Sequence, residues 1–453
     1  MSKLTKNRIF LTIGIILSIF FLIHNLVSYP SSRGYVYSLH VKYAEVISHE
    51  WRLPTFEETQ KVYDPPLFFI LSGLFTRLTS QISGEDFTSA IKYWRYFSIL
   101  FPIFSFYFWY KIIKKLMPKN RQFHLFFIII LFSLPVLHKT LVMYTIEPFL
   151  FFTTSLTLWY FIFKFQLKPN IKTAFILSCL VTISLLTRVS AIALLCAIIF
   201  GILGLAWIRQ ISWKQLIKFL TIFLLTVFLG AGWFYGRESK DYNDRISIMM
   251  NRNKDPASVG INKKLDFLTE IPFHLMMTHP IRRPVWLNRL IPIYYSEFWG
   301  DFWNFYIQKR FNISFEARQA NRLITTPKRV ASLALQNQVN LISTFLMIVG
   351  FIYLTIRTIK KSIKKPDFRW VIETMLLVVF IVTWLGFLYS ITYHGAPKGD
   401  SIKATYMLFI LPIFVYMLIL FLFEVVKKAK YIFLPLILWL ALATGVNLWW
   451  SWY

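Results

Sequence analysis

Residues 62–78 read VYDPPLFFILSGLFTRL: an acid, two prolines, an apolar run and an arginine. The apolar run from Leu67 to Thr76 has only 10 residues before Arg77. A helix that crosses a bilayer needs roughly 20 apolar residues, and runs of about 10–14 are more typical of interfacial or re-entrant segments. The stretch therefore predicts a helix that lies on the membrane. Every later segment would change sides if it crossed instead.

The composition places the chain among membrane proteins. It has 453 residues, of which 56% are hydrophobic and 19% aromatic, and its mean hydropathy is +0.54. A soluble core cannot bury that much apolar surface, so the lipid bilayer is the expected solvent for much of the chain. Cys179 and Cys196 lie in separate apolar runs, which gives no support to thiol-based metal or redox chemistry. The long apolar run after MSKLTKNR predicts an uncleaved first helix.

Long apolar runs predict about 11 transmembrane helices, with residues 62–78 left out of the count. The runs fall near residues 9–28, 93–113, 123–140, 146–163, 173–188, 190–208, 215–236, 339–356, 371–391, 403–423 and 431–449. With a cytoplasmic N-terminus, the short inner segments hold 23 of the 50 basic residues, in agreement with the positive-inside rule. A further crossing at residues 62–78 would move the basic stretches KIIKKLMPKNR and KKSIKKPDFRW outside.

The predicted fold is an all-α polytopic membrane protein in three parts. An N-terminal transmembrane module (1–236) includes a first outer loop (29–92) with interfacial helices. A large folded outer loop (237–338) follows, and transmembrane helices (339–453) complete the chain. Because basic inner loops explain much of the net charge of +29, no nucleic-acid partner is expected. The unequal parts differ from the two similar halves of a transporter built from inverted repeats.

The first candidate site residues lie in GYVYSLHVKYAEVISHEWRLP, residues 34–54. Spacing places His40, Tyr43 and Glu45 within one or two turns of a predicted helix. Polar groups at a membrane boundary are expensive, which makes them default candidates for a site. His40 and Glu45 could serve proton transfer or metal binding. The alternative is a solvated amphipathic helix on the membrane surface.

Two further carboxylates stand next to prolines. Asp64 precedes Pro65 and Pro66, and a helix starting there would allow Asp64 to act as its N-cap. Glu147 precedes Pro148 at the outer start of a predicted span, where the helix dipole favours a negative charge. Each residue therefore has a capping interpretation and a functional one.

Several cations gather at the predicted outer ends of spans. Arg188 is the only interruption between two apolar runs, and Lys398, Lys403 and Tyr406 lie at the outer start of another span. Cations at a lipid interface suit a phosphate headgroup. Each cation could instead be an anchor that extends to the interface. Their occurrence on one predicted face favours an anionic lipid ligand.

These motifs resemble the GT-C superfamily of membrane glycosyltransferases. The pieces that carry the resemblance are HVKYAEVI, WRLP, YDPPLFF and KGDSIKATY, and the nearest similarity is to the protein O-mannosyltransferase and lipid A aminoarabinose transferase branch with its bacterial relatives. The resemblance implies an enzyme of the plasma membrane, active at the outer face. It would move a hexosyl or pentosyl group from a polyprenyl-phosphate donor to a hydroxyl of a glycan, lipid or protein acceptor.

The resemblance also assigns roles, with one departure. The family's first-loop acid lies three or four residues before the His-like position, where this chain has Tyr37 and Val36. The base is therefore expected elsewhere: Asp64 is the first choice, Glu147 the second and Glu45 the third. Some members of the superfamily use a divalent metal, but no ligand spacing in this chain requires one.

The remaining roles follow from the charge on the leaving group. A departing phosphate needs cations, and the candidates for that role are Arg188, Lys398 and Lys403. His40 would orient the substrate, and Tyr43 and Tyr406 would contact it. Two alternatives remain: a flippase or transporter of lipid-linked oligosaccharide, and an inactive GT-C-like protein. Spans such as 215–236 and 403–423 are nearly free of interior charge, which favours the enzyme over the transporter.

Overall fold

The computed structural model describes residues 3–59, 61–241, 265–281, 289–303, 306, 327–393 and 402–452. These residues form helices joined by turns and short connections, and none of them lies in a β-strand. The fold of the described chain is therefore all-α, as the sequence predicts.

The helices follow the apolar runs of the sequence. The N-terminal helices are α1 (Lys3–Ser28), α2 (Tyr37–Glu50), α3 (Leu67–Ser83), α4 (Phe87–Ser98), α5 (Leu100–Leu116), α6 (Arg121–Phe132), α7 (Pro135–Leu141), α8 (Glu147–Tyr160), α9 (Ile171–Thr187), α10 (Ile192–Trp207) and α11 (Trp213–Asp241). The later ones are α12 (Leu265–Thr269), α13 (Phe273–Thr278), α14 (Leu290–Trp299), α15 (Pro327–Val339), α16 (Leu341–Lys364), α17 (Phe368–Tyr393), α18 (Leu411–Lys428) and α19 (Lys430–Ser451). A π-helical turn (Phe161–Phe165) extends α8, and 3₁₀ turns (Val189–Ala191 and Ala404–Ile410) precede α10 and α18.

Within the described chain, 8 helical segments are long and apolar enough to cross a membrane. The bent pair α6–α7 would raise this number to 9 if it forms one span. Residues 16–28 of α1, together with α3 and α9, are apolar helices of shorter length. The structure therefore has the pattern of a multi-pass helical membrane protein, and such helices suit a lipid bilayer. The count of about 11 spans and the assignment of sides stay predictions.

The break between α6 and α7 has a local cause. Proline has no backbone N–H to donate and clashes with the preceding turn, so a helix cannot continue undisturbed through Pro135. Leu134 is accordingly extended (φ −71°, ψ 117°), and the axes of the two helices differ by 58°. The run near 123–140, predicted as one span, thus forms two helices with a bend between them.

The apolar part of residues 62–78 lies in α3, a helix packed against α2 and α4. Its Phe68 and Phe69 are buried in a small apolar cluster with Tyr43 and Trp94, separate from the main core. Its 17 residues span about 26 Å, less than the roughly 30 Å of hydrocarbon in a bilayer. Its outward residues are also apolar, including Leu71, Leu78 and Ile82. The helix thus has apolar residues on both its buried and its exposed side, and its position on the membrane surface stays a prediction.

The close approach of α2 and α3 depends on Gly73. A Cβ atom at this position would lie 2.5 Å from the carbonyl oxygen of Ala44 in α2. Since that contact is with backbone, the helices would have to move apart, and we expect Gly73→Ala to cost about 1–3 kcal/mol of unfolding free energy. Denaturant titration of the purified protein measures this loss. Gly236→Ala, where a Cβ meets nothing within 4 Å, should have no such cost; equal losses at both positions would contradict the packing argument.

The predicted large outer loop is described only in part. Its described helices are α12, α13 and α14, followed by most of α15. Helix α14 packs against α7 and against the 3₁₀ turn Ala404–Ile410. The described pieces are thus attached to the helical bundle, while the outer position of residues 237–338 and the three-part division stay predictions.

Candidate functional site

One cavity collects polar residues from widely separated segments. It is small, and we call it the polar cavity. Its lining consists of Tyr35, Val36, His40, Lys61, Asp64, Thr145, Glu147, Arg188, Thr405 and Tyr406. Five of the predicted site residues are in this set, although up to 366 positions separate them (His40 to Tyr406). Sequence reasoning therefore singled out residues that the fold brings together.

Asp64 faces the cavity rather than capping a helix. Helix α3 begins at Leu67, the cap position is held by Pro66, and no side chain caps the helix. The capping interpretation of Asp64 is therefore wrong. Its Oδ2 lies 3.7 Å from Nε2 of His40 and 3.6 Å from Nζ of Lys61. This buried oxygen has no partner within hydrogen-bonding distance in the described structure.

The backbone around Asp64 is held by two contacts. The amide of Asp64 donates to the carbonyl of Lys61 at 2.9 Å, and this turn brings the two side chains together. The hydroxyl of Tyr43 donates to the carbonyl of Asp64 at 3.1 Å, while its ring stacks on Phe69 with centroids 4.0 Å apart. Tyr43 is fully buried and does not line the cavity. This placement does not support the predicted role of Tyr43 as a substrate contact. Tyr43 instead holds the backbone of Asp64 in place.

The electrostatics of this corner favour an ionised carboxylate. Burial raises the pKa of Asp64, but the Lys61 ammonium, the His40 ring and the Arg188 guanidinium together outweigh it and hold that pKa well below its ordinary value. The pKa of Lys61 is raised, chiefly by Asp64. Burial lowers the pKa of His40, so its ring is neutral at pH about 7. The corner therefore contains one carboxylate, one ammonium and one neutral imidazole.

A second carboxylate–cation pair also lines the cavity. Glu147 is the first residue of α8 and is buried. It accepts hydrogen bonds from Arg188 and from the hydroxyl of Thr145. Arg188 lies in an extended conformation (φ −160°) between α9 and the next 3₁₀ turn, with its guanidinium carbon 4.4 Å from the ring centre of Tyr406. Arg188 is thus fixed on two sides.

Lys403 lies next to the cavity without lining it. Its Nζ is 5.2 Å from the ring centre of Tyr35 and 5.9 Å from that of Tyr406, both distances typical of cation–π contacts. The ammonium is therefore close to the aromatic part of the cavity wall. Lys398, the other lysine predicted here, lies outside the described residues.

Glu45 is not brought to the cavity. Its carboxylate pairs with Nζ of Lys42 at 3.1 Å on the surface of α2, and its side chain is 39% exposed. This is the solvated helix face that the sequence analysis kept as the alternative. Glu45 is consequently the weakest of the three predicted bases.

Lys61 and Tyr35 also line the cavity and were not predicted from the sequence. Lys61 could have been found from its spacing, since it lies three residues before Asp64 in KVYD. Tyr35 has no such signal, because its partner is distant: its hydroxyl donates to Glu297 of α14. Glu297 in turn pairs with Lys139 of α7, whose Nζ is 2.6 Å from Oε1. This Lys139–Glu297 pair is almost completely buried, with exposures of 1% and 0%.

The described residues offer no donor set for a metal ion. They contain no group of three or more His, Cys, Asp and Glu side chains arranged to hold one. In the polar cavity, Lys61 and Arg188 take the positions next to Asp64 and Glu147. The divalent metal that the GT-C resemblance allows does not fit this arrangement, so no step is derived through one.

Comparison with known proteins does not supply a family. No family model matches the chain, and no curated protein matches it. The resemblance to GT-C glycosyltransferases therefore depends on the sequence motifs alone.

Proposed function

We propose that the chain is an integral-membrane glycosyltransferase that uses a polyprenyl-phosphate sugar donor, with the polar cavity as its active site. The observation that carries the proposal is the meeting of Asp64 and Glu147 with Lys61 and Arg188 in one cavity. Glu147 begins one candidate span and Arg188 directly precedes another, so the cavity lies where helices would enter the membrane. A headgroup at that depth can be reached while its lipid tail stays in the bilayer.

Sugar transfer requires a base and positive charge that stabilises the leaving phosphate. An acceptor hydroxyl is a weak nucleophile, so a carboxylate must take its proton as the hydroxyl oxygen bonds to the anomeric carbon of the sugar. The bond from that carbon to the phosphate oxygen breaks, and polyprenyl phosphate leaves with the electron pair. Lys61, Arg188 and the nearby Lys403 supply positive charge where the phosphate develops its own. The neutral His40 ring is suited to hydrogen bonding with the sugar or the acceptor.

Asp64 is the better base of the two cavity carboxylates. Glu147 already accepts hydrogen bonds from Arg188 and Thr145, which leaves it little capacity for a substrate proton. Asp64 has a buried oxygen with no hydrogen-bond partner in the described structure. We assign proton transfer to Asp64 and assign Glu147 to positioning Arg188.

The charge pattern completes the proposal. Basic residues concentrated in alternate short loops favour a cytoplasmic N-terminus and, with it, a cavity on the outer face; the membrane in this proposal is the plasma membrane. The acceptor would then be a glycan, a lipid or a protein of the cell envelope.

One observation favours a second candidate, a flippase or transporter of lipid-linked oligosaccharide. Broken helices and buried charges at membrane depth are frequent in transporters. The bent pair α6–α7 carries Lys139, which is buried against Glu297. This pair adjoins the polar cavity through Tyr35.

One experiment distinguishes the glycosyltransferase from the transporter. The purified protein in liposomes is supplied with radiolabelled sugar on polyprenyl phosphate and with a mixture of acceptor glycans, lipids and peptides. The glycosyltransferase predicts label in an acceptor and release of polyprenyl phosphate. Movement of intact lipid-linked sugar between leaflets without release would favour the transporter and reject the transferase.

A further inference from the structure

Both cations that line the polar cavity are paired with carboxylates. Lys61 is 3.6 Å from Asp64, and Arg188 bonds Glu147. An anion that binds these cations must therefore compete with a carboxylate for at least one of them. The charged and titratable groups near Asp64 come from every element around it: Lys61 from the same loop, His40 from α2, Glu147 from α8, Arg188 after α9, Tyr35 before α2, and Lys403 and Tyr406 at the 3₁₀ turn before α18.

The two cations differ in how firmly they are held. Arg188 makes a direct bond to Glu147 and stacks on Tyr406. Lys61 contacts Asp64 at 3.6 Å, longer than the about 2.7–2.9 Å of a charge-assisted hydrogen bond. Lysine also has a flexible four-carbon stem and a compact charge that several acceptors can share. Lys61 is therefore the cation that can change partner at the lower cost.

We infer that Lys61 is an exchange residue, which pairs with Asp64 until a tetrahedral oxyanion enters the cavity and then moves to that anion. Binding of the donor phosphate thereby frees Asp64 to accept a proton, so the base is released only when the leaving group is in place. This inference rests on the proposed function for its role in turnover. The exchange itself concerns only an anion, Lys61 and Asp64.

The exchange of partners by Lys61 changes the pKa of Asp64 and therefore the number of bound protons. Lys61 now helps to hold the pKa of Asp64 below its ordinary value. When Lys61 leaves and an anion arrives, both changes favour the neutral acid, so the pKa of Asp64 rises. At a pH between the two values, anion binding must draw in a proton. By linkage, removing the carboxylate charge must in return strengthen anion binding.

Sulfate is the appropriate probe because it has the shape of phosphate and stays a dianion in this pH range. Calorimetry of the full chain in nanodiscs, repeated in buffers of different ionisation enthalpy from about pH 4 to about pH 7, measures the protons taken up. We expect uptake on sulfate binding that grows toward the acid end. Asp64→Asn should abolish this uptake and bind sulfate about 5-fold or more tightly. Lys61→Gln should weaken sulfate binding and reduce uptake, because only the arrival of the anion then raises the pKa of Asp64.

His40→Gln is the matched control, since His40 is the other group beside Asp64 that could gain a proton. Uptake that persists in His40→Gln and vanishes in Asp64→Asn supports the exchange. The exchange would be overturned by any of three results: loss of proton uptake in His40→Gln, sulfate binding without proton uptake, or no sulfate binding. Thermal unfolding of each variant identifies a folding failure, and Lys61→Gln then provides the decisive comparison. Sugar transfer without proton uptake would reject the exchange alone, and uptake without transfer would reject the proposed function alone.

Discussion

Asp64→Asn is expected to lower the rate of sugar transfer by about 10²–10⁴-fold, the usual contribution of a general base. The amide keeps the size of the side chain and can still contact His40 and Lys61, but it cannot accept the acceptor proton. The backbone contacts to Tyr43 and Lys61 do not involve the carboxylate, so the variant should fold. Initial rates of label transfer from polyprenyl-phosphate sugar, measured at saturating donor, check this prediction.

Glu45→Gln is the matched control for this experiment. It makes the same chemical change on a carboxylate that the structure places on the exposed face of α2, paired with Lys42. Its transfer rate should stay within about twofold of the wild-type rate, because surface changes rarely affect a distant site. A large loss in Glu45→Gln with little loss in Asp64→Asn would show that the base had been assigned wrongly.

The sequence predicted much of the secondary structure because helix formation by apolar runs is a local property. The described chain has helices at each of the predicted runs, from α1 to α19. The lengths of the helices and the positions of their breaks were harder to predict. The break at Pro135 has a local cause, but the 58° angle between α6 and α7 was not predicted, and α9 is only 17 residues long because Arg188 ends it. These details decide how many helices qualify as spans.

The candidate site was predictable where a polar residue interrupts an apolar run. Glu147, Arg188 and Asp64 were singled out because such interruptions are costly in a membrane protein, and the fold brings all three to one cavity. Residues with an ordinary local explanation were harder to rank. Tyr43 and Glu45 have similar sequence contexts, yet one is buried beneath Asp64 and the other is exposed on the surface.

The Lys139–Glu297 pair was beyond prediction because it depends on tertiary structure. Its members are 158 positions apart, and neither has an oppositely charged neighbour that marks it locally. The fold brings α7 and α14 together, and Nζ of Lys139 also donates to the carbonyl of Gly300 at 2.9 Å. The pair thus joins the bent helices α6–α7 to the predicted outer loop. Through Tyr35 it also contacts the wall of the polar cavity.

Lys139→Met is expected to cost roughly 3–5 kcal/mol of unfolding free energy, because it leaves the Glu297 carboxylate buried without its counter-charge. Burial raises the pKa of Glu297, so the folded state then prefers the protonated acid. A carboxyl whose folded pKa is raised stabilises the fold at low pH and loses that contribution as pH rises. The variant should therefore become progressively less stable from about pH 5 to about pH 8, as measured by denaturant titration in detergent micelles.

Two comparisons test whether burial of the pair is the cause. The double variant Lys139→Met with Glu297→Gln removes both charges, and we expect it to recover much of the loss and most of the pH dependence, since a neutral pair has no uncompensated charge. Lys427→Met breaks the exposed pair between Lys427 and Glu424, 2.6 Å apart, and should have little effect because water screens both groups. If the single and double variants lose equal stability at every pH, lost packing rather than the stranded charge is responsible. The buried pair would then serve as a spacer between α7 and α14, and its link to the cavity through Tyr35 would be steric rather than electrostatic.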